Sequence, residues 1–504
     1  MEYKISVKAS PTTWTVDDDG PADFRTIQEA INNASSGEVI FVHKGTYYEN
    51  VVVNKTVSLI GEERVSTIID GNNTNNIISI TATNVTIHGF TIRNSGPSLY
   101  DSGILIDHSD GSNISHNTVS SNNDGISLYY SSNSLVWGNT VSDNNYNGIV
   151  LYSSTKNIIS NNTVSNNYVG ISLYYSSNNL VSCNTISDNL VGVYPAFYSN
   201  NNTFYHNNFN NFEENVRIDS VNVWDYDGEG NYWSDYTGRD LNGDGLGDAP
   251  KIMNAYNLDN HPLMGIFSNF IITLERRAYS VIIISNSTIS DFRFEIGAET
   301  GNKIIRFNVT CENGALGFWR VTVPTGLMKY PFIVLIDSEE ITPTLLDVSN
   351  ETYIYLYFTY FHKNQTITMI YSEALHLYYE LLDKYLKLQT DFYDLNATYY
   401  DLVTSNLELQ TELYVLNVTY YDLLNSHNIL SGNCSQLQKN LDELNASYQK
   451  HLIDYSEHLQ NIQSLMYIFA ATTAIFILTT IYLSKRAHAA ITTKTKGIEE
   501  EKGA

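Results

Sequence analysis

A short acidic loop holds the residues most suited to binding a hard cation. Four oxygen-bearing side chains share it: Asp240, Asn242, Asp244 and Asp248. They occupy positions 1, 3, 5 and 9 of an EF-hand-type spacing, and Gly245 stands at position 6, where the sharp turn falls. Position 12 is Lys251 instead of a bidentate acid, so Asp235 or Asp259 would have to complete a calcium site. A plain Asp/Asn/Gly turn is the alternative.

Acid–base chemistry has few candidates. Between positions 112 and 211 the charged residues other than histidine are Asp124, Asp143, Lys156 and Asp188. Asp143 and Asp188 occupy the same place in a repeated unit, two units apart. If the units stack as coils about 4.8 Å apart, these carboxyls lie roughly 9.6 Å apart. That separation is at the edge of the range for an inverting glycosidase and too large for a retaining one. We therefore expect a non-catalytic protein, with these two residues as catalytic candidates if it is an enzyme.

Aromatic residues recur at the same interval and suggest a binding surface. Tyr129, Tyr152 and Tyr174 follow one another at nearly equal steps, with Tyr130 and Tyr175 beside them. If they face outward, they form an aromatic ladder suited to the apolar faces of sugars. The alternative is a set of tyrosines that only cover the sheet and pair with one another.

The element that must position these residues is a repeat. Asn-Thr-Val/Ile recurs at a nearly constant step, at Asn117, Asn139, Asn162 and Asn184. Within each unit, apolar residues alternate as in Ile126 and Leu128, which is the period of a strand. Units of this length with short strands and Asn/Ser/Gly corners are typical of a parallel β-helix. We expect the asparagines to hydrogen-bond along the stack, which is a structural role.

This repeat resembles that of the right-handed β-helices of the pectate-lyase-like superfold. The segment 16–62, "VDDDGPADFRTIQEAINN…SLIGE", resembles the amino-terminal cap and first coils of that fold, with Phe24, Ile27, Ile31 and Ala34 on one helical face. The segment 230–264, "GNYWSDYTGRDLNGDGLGDAP…", resembles the closing segment of the NosD-like periplasmic copper-binding family, especially of archaeal surface proteins. The resemblance implies a mainly β fold over 16–264. It implies little about activity, because this superfold hosts enzymes and non-enzymes.

Copper is the metal that the family resemblance implies. Copper sites need imidazole or sulfur ligands. His88, His108, His116 and His206 are scattered, and none stacks on another at a step of one coil. No copper site is therefore expected.

Composition and charge point to the cell surface. The net charge is −26, which argues against a nucleic-acid partner. An uncharged apolar stretch at 465–483 is long enough to cross a bilayer, and Lys485 and Arg486 after it predict a cytoplasmic tail at 484–504. Residues 1–15 contain no apolar stretch of a signal peptide, so either the true start lies upstream or a leader has been removed.

Glycosylation sequons support export. They run from Asn33 to Asn445 and end before the apolar stretch, and they include Asn54, Asn84, Asn113, Asn161, Asn286, Asn308, Asn364, Asn396 and Asn417. Chance occurrence in an Asn/Ser/Thr-rich chain is the alternative, but this abrupt end favours a glycoprotein whose bulk lies outside the cell.

Two further regions follow the β-helix. Short strands broken by Gly, Asn and Pro predict a β-sandwich over 270–372. Leucines then recur in heptads from Leu381 to Leu444 with a second set four positions later, predicting a coiled-coil stalk over 374–462. A single helix from Leu381 to Tyr455 would be about 110 Å long. It would make homo-oligomers, and Cys434 in its seam is a candidate for an interchain disulfide.

Together these features predict a membrane-anchored surface protein that binds polysaccharide or another cell-envelope partner. A surface-anchored polysaccharide lyase or glycosidase is the main alternative. A copper-handling accessory protein is the second alternative.

Overall fold

The computed structural model describes residues 12–310, 316–361, 363–418 and 424–500. It divides into two compact units, the first comprising 1–290, 308–324 and 343–365 and the second comprising 291–307, 325–342 and 366–504. The first unit contains a parallel β-helix with three sheets of nine, eight and nine strands. The predicted β-helix is thus confirmed.

The strands of the three sheets alternate along the chain. Sheet A comprises Thr13–Val16, Val39–Val42, Ser58–Gly61, Thr86–His88, Asn113–Ser115, Leu135–Trp137, Ile158–Ser160, Leu180–Ser182 and Thr203–Tyr205. Sheet B comprises Gly45–Tyr47, Thr67–Asp70, Thr91–Arg93, Thr118–Ser120, Thr140–Ser142, Thr163–Ser165, Thr185–Ser187, Asn208–Asn210 and Tyr232–Trp233. Sheet C comprises Val51–Val53, Ile78–Ile80, Ser102–Asp107, Asp124–Tyr129, Asn147–Tyr152, Val169–Tyr174, Val191–Ala196 and Glu214–Val216.

The repeated sequence sets the register of these sheets. Ile126 pairs with Ile149, which pairs with Ile171, and all three are fully buried. In sheet B, Val141 pairs in the same way with Val164. Because each coil places the same residue type at the same height, the interior is a stack of β-branched and leucine side chains.

Asparagine ladders line the corners, as the sequence predicts. One ladder runs Asn117, Asn139, Asn162, Asn184, Asn207 and Asn231. In each rung the side-chain Nδ2 donates to the Oδ1 of the next coil, and that same oxygen accepts the backbone N–H of the preceding asparagine. The last rung donates its backbone N–H to Asp259 Oδ2 at 2.8 Å. The buried amides are thereby satisfied without water.

Helix α1 (Ile27–Asn33) covers the amino-terminal end of the β-helix. The Thr26 hydroxyl accepts the backbone N–H of Glu29 and caps the helix, and Ile27, Ala30 and Ile31 are buried. The Glu49 carboxylate accepts two further N–H groups of the first turn, from Ile27 and Gln28. The predicted capping helix is therefore present, although Phe24 precedes it.

A five-stranded sheet follows the β-helix in the first unit. Its strands are Ile266–Leu274, Arg277–Ser285, Leu316–Pro324, Tyr353–Phe361 and Thr344–Leu345, and the closing segment before it contains the pair Lys251–Asn254 and Asn257–Asp259. A buried ion triad joins this sheet to the β-helix. Glu229 accepts from His206 Nε2 and from Arg320, each at 2.7 Å, and Arg320 is 3 % exposed. Arg320 also lies over the ring of Tyr355 at 5.1 Å.

The second five-stranded sheet comprises Thr288–Ile296, Lys303–Thr310, Gln365–Tyr371, Ile333–Ile336 and Glu339–Ile341. The strands that the sequence predicts over 270–372 therefore exist and form two sheets, with Trp319 fully buried in the first.

Two helices complete the second unit, and they correct the predicted stalk. Helix α2 (Glu373–Val418) ends before helix α3 (Leu424–Glu500) begins. The hydroxyls of Tyr385 and Tyr455 lie 2.7 Å apart, and the rings of Phe392 and Tyr448 stack at 5.4 Å. Because the two ends of the expected single helix are in contact, the prediction of one continuous helix is wrong. The heptads instead pair within one chain, as an antiparallel hairpin.

The hairpin changes the interpretation of Cys434. The contacts Tyr385–Tyr455 and Phe392–Tyr448 set the register of the antiparallel hairpin. Continuing that register along both helices brings Cys434 opposite the buried Asn406 of the same chain. Cys434 is free and half-buried. The seam in which an interchain disulfide was expected is therefore occupied by the chain's own helix. Oligomerisation stays a prediction.

The apolar stretch lies in helix α3. Within the described residues, one helix is long and apolar enough to cross a membrane by length and composition. This finding is consistent with a single membrane anchor.

Candidate functional site

The outer surface of sheet C carries the predicted tyrosine ladder. We define the tyrosine face as the outward side of the strands from Ser102–Asp107 to Val191–Ala196. Tyr129, Tyr152 and Tyr174 pair in register on three successive strands, and all are half-buried. Their outward direction follows from strand alternation, because the neighbouring Leu128, Leu151 and Leu173 fill the interior.

The rings are in contact along the face. Tyr129 and Tyr152 stack with centroids 5.6 Å apart, and Tyr174 meets Tyr194 edge to face at 6.0 Å. These are favourable geometries for aromatic pairs. The three predicted tyrosines therefore share one register, with ring contacts at Tyr129–Tyr152 and at Tyr174–Tyr194, and the structure adds Tyr194 to the set.

A second, more exposed aromatic row lies at the following corner. Tyr130 and Tyr175 adopt left-handed backbone conformations, with φ of 51° and 52°, and are 50 % and 48 % exposed. Each meets Tyr152 edge to face at 5.7 Å. His108 stacks on Tyr130 at 4.6 Å, and Phe197 stacks on Tyr175 at 5.6 Å. A bulky side chain at φ > 0 is unusual, so this corner holds its rings at a conformational cost.

A polar line forms the floor beside the tyrosines. The Asp124 Oδ1 accepts the backbone N–H and the side-chain Nδ2 of Asn147, both at 2.9 Å. The Asn147 Oδ1 accepts the Ser172 hydroxyl at 2.5 Å, and the hydroxyls of Ser102 and Ser127 lie 2.7 Å apart. Asp124 is 3 % exposed, and burial raises its pKa to about 6 although the Asn147 hydrogen bonds lower it. An ionisable group that is desolvated beside an aromatic surface marks a candidate site.

The two acids proposed from the sequence lie elsewhere. Asp143 and Asp188 are exposed residues at a corner between sheets, both with φ of 57°, and Asn166 occupies the same corner with φ of 55°. Asn and Asp tolerate left-handed backbone better than other residues, which accounts for their presence there. Asp124, which the sequence did not single out, is the acid that the structure places beside the tyrosines.

The acidic loop is closed by its own hydrogen bonds. Asp240 accepts the backbone N–H groups of Gly243, Asp244 and Gly245 at 2.7–3.1 Å. Asp248 Oδ2 accepts from Leu241 at 2.6 Å, and Asn242 donates to Asp244 at 3.0 Å. Among the described residues, ligand atoms of three acids come within 4.8 Å of one another at Asp17, Asp18 and Asp19. Calcium binding by the 240–248 loop stays a prediction.

We expect calcium to raise the melting temperature of the full chain, because a bound cation would clamp the loop near the carboxyl end of the β-helix. Asp244→Ala should abolish that rise, because it removes a ligand. Differential scanning calorimetry with calcium and with chelator measures the effect. Asp110→Ala, in another turn, is the matched control and should keep the rise. A parent protein whose melting temperature ignores calcium contradicts the site.

One histidine pair comes together, contrary to expectation. The rings of His88 and His116 meet edge to face at 5.0 Å, and His116 also contacts Trp137 at 4.5 Å. Burial lowers the pKa of His116, and the nearby charges of His88 and Arg64 lower it further. The expectation that no two of these histidines stack is therefore wrong for this pair. His108 and His206 lie at other places on the β-helix.

The fold is a right-handed parallel β-helix with aromatic residues on one outer face. Residues 31–238 match the family model described as periplasmic copper-binding protein (NosD). The match covers less than half of the 504 residues, and it shows that the β-helix is NosD-like. No curated protein matches the chain.

Solved structures match part of the chain at low sequence identity. XylC in complex with xylose is 12 % identical with a TM-score of 0.37, and the match covers 42 % of this chain and 64 % of that chain. The alginate lyase of Paenibacillus sp. str. FPU-7 is 14 % identical with a TM-score of 0.27, covering 44 % and 75 %. The family 28 exopolygalacturonase of Yersinia enterocolitica is 13 % identical with a TM-score of 0.32, covering 44 % and 59 %. The chain therefore spans less than two thirds of the length of XylC.

Proposed function

We propose that this chain is a membrane-anchored surface protein whose β-helix binds a polysaccharide or another glycan of the cell envelope without catalysis. The observation that carries the proposal is a connected series of aromatic rings on the outer side of sheet C and its following corner, which runs through Tyr129, Tyr152, Tyr175 and Phe197. Aromatic rings bury large apolar area at low entropic cost, and tyrosine hydroxyls can hydrogen-bond a hydroxylated ligand. A row that follows the β-helix axis suits an extended chain with repeating units.

Anchoring and charge are consistent with this role. The one candidate membrane helix among the described residues would hold the β-helix at the surface, with the tail at 484–504 on the cytoplasmic side. The net charge of −26 favours a partner other than nucleic acid.

The test removes the central ring of the row. Tyr152 contacts Tyr129, Tyr130 and Tyr175, so Tyr152→Ala opens a gap in both aromatic rows. We expect binding of the full chain in detergent to its strongest ligand on a glycan array to weaken about tenfold, since one stacking contact and its neighbours are lost. Tyr48→Ala is the matched control, because Tyr48 is 70 % exposed and outside the tyrosine face.

Two results would contradict the proposal. Equal binding by Tyr152→Ala and Tyr48→Ala would show that the row is only a sheet covering. Release of reducing ends or unsaturated sugar from a polysaccharide panel, abolished by Asp143→Asn or Asp188→Asn, would instead identify an enzyme.

A further inference from the structure

The polar residues beside the tyrosines include the carboxyl group of Asp124, of which only one oxygen accepts hydrogen bonds. Asp124 Oδ1 is held by two hydrogen bonds from Asn147. Its second oxygen, Oδ2, accepts no hydrogen bond from any residue that the structure describes. Oδ2 is not among the enclosed side-chain atoms that lack a partner, so it reaches the surface beside the tyrosines although the residue is only 3 % exposed. A ligand hydroxyl that binds there would give this acceptor a hydrogen-bond partner.

The carboxyl lies at the tyrosine row and not in the apolar interior. After burial, the charge of Asp124 is the next cause that raises the pKa of Tyr129, and it also raises that of Tyr174. The chain Ser172 to Asn147 to Asp124 fixes the orientation of the carboxyl, since each group donates to the next. A preorganised acceptor next to aromatic rings is an arrangement that orients a hydroxylated ligand.

The charges around the face exclude another class of ligand. The five strands of the tyrosine face contain no lysine or arginine. The adjacent Arg217 pairs with Glu214 at 3.2 Å and lies 5.8 Å from the ring centre of Tyr194. On these strands a carboxylate-bearing ligand would therefore meet Asp124 with no lysine or arginine to balance its charge, which selects against it.

We infer that the tyrosine face binds a neutral, hydroxylated polysaccharide and rejects polyuronates, with Asp124 Oδ2 accepting a hydrogen bond from a ligand hydroxyl. The inference rests on the proposed function and names the ligand class of the same surface. Asp124 is a specificity residue here, because it contacts ligand and takes part in no reaction.

The experiment compares matched probes on the full chain in detergent. Neutral cello- and manno-oligosaccharides are titrated beside oligogalacturonate and oligoalginate of the same length. We expect the parent to bind at least one neutral oligosaccharide at least tenfold more tightly than either uronate. Asp124→Asn keeps the acceptor for Asn147 but turns a donor toward the ligand, so neutral binding should weaken about tenfold and the preference over uronates should fall by more.

The outcomes separate the two proposals. Tighter binding of a uronate by the parent, or an unchanged preference in Asp124→Asn, overturns the ligand class while leaving glycan binding intact. If the parent binds none of the oligosaccharides and Tyr152→Ala changes binding to no glycan, the proposed function itself is overturned. Glu63→Gln is the control for charge alone, because Glu63 is exposed, pairs with Lys44 and lies outside the tyrosine face. It should leave the preference unchanged.

Discussion

Replacing Asn162 with alanine should lower the free energy of unfolding by about 4 kcal/mol. The Asn162 Oδ1 accepts both the backbone N–H and the Nδ2 of Asn139, at 2.9 and 3.0 Å. Its own Nδ2 donates to Asn184 and to the carbonyl groups of Val136 and Ser160. Alanine removes all of these partners at a fully enclosed position, where water cannot substitute, and each unsatisfied group costs about 1–3 kcal/mol.

Urea unfolding followed by tryptophan fluorescence measures this loss. Asn145→Ala is the matched control, because Asn145 belongs to the same repeat but its side chain is exposed. Its effect should stay within about 0.5 kcal/mol, as for most surface substitutions. Similar midpoints for the two variants would show that the ladder contributes little to stability.

Replacing Glu229 with glutamine should cost about 3 kcal/mol, because it leaves the Arg320 guanidinium buried without a counter-charge. Glu229 is the shared acceptor of His206 and Arg320. Two guanidinium nitrogens of Arg320, Nε and Nη1, have no hydrogen-bond partner, so the ion pair is its main compensation within the described residues. Unfolding in urea measures the effect, and loss of hydrogen-exchange protection at Leu316–Pro324 locates it.

The control and the rescue test different parts of this argument. Glu63→Gln removes an exposed pair with Lys44 and should change stability by less than about 1 kcal/mol. The double variant Glu229→Leu with Arg320→Met should recover most of the loss, since no buried charge is left. A double variant less stable than Glu229→Gln would contradict the ion-pair explanation.

The same triad makes stability depend on pH. Burial raises the pKa of Glu229, but the hydrogen bond from His206 and the charge of Arg320 outweigh it, so the pKa lies below its usual value. A depressed pKa stabilises the fold above the ordinary glutamate range, and this contribution is lost as the pH falls through the lowered pKa. The difference between the parent and Glu229→Gln should therefore shrink in acid.

The repeat made most of the β-helix predictable from the sequence. Tyr129, Tyr152 and Tyr174 follow a nearly constant step, so their register needed no coordinates. The contact between His88 and His116 was not predicted from the interval between them in the sequence. The coil that separates their strands is longer than the coils of the regular repeat. Coil lengths in that part of the chain differ, so an interval of one coil could not be recognised.

Other features depend on information that a linear pattern lacks. The heptad pattern identifies the face along which a helix packs, but this face fits a helix of the same chain as well as a helix of another chain. The packing face was therefore predicted correctly, whereas the helix that packs against it was not. Asp124 was counted among the charged residues of the repeat but not chosen as a candidate, because its burial and its partners come from other coils, distant in sequence. The loop at 240–248 carries a recognisable spacing, but its hydrogen bonds could not be read from that spacing.

The direction of the hydrogen bonds in the asparagine ladder has a consequence for how the length of the β-helix can change. Every rung donates toward the carboxyl end and is completed only by the next coil, until Asp259, an acceptor alone, ends the series. The hydrogen bonds at either end of the ladder therefore do not depend on the number of asparagines between them. Duplication or loss of one whole repeat would leave the hydrogen bonds between neighbouring coils unchanged. The β-helix would become longer or shorter by one coil, and the tyrosine face would gain or lose one tyrosine.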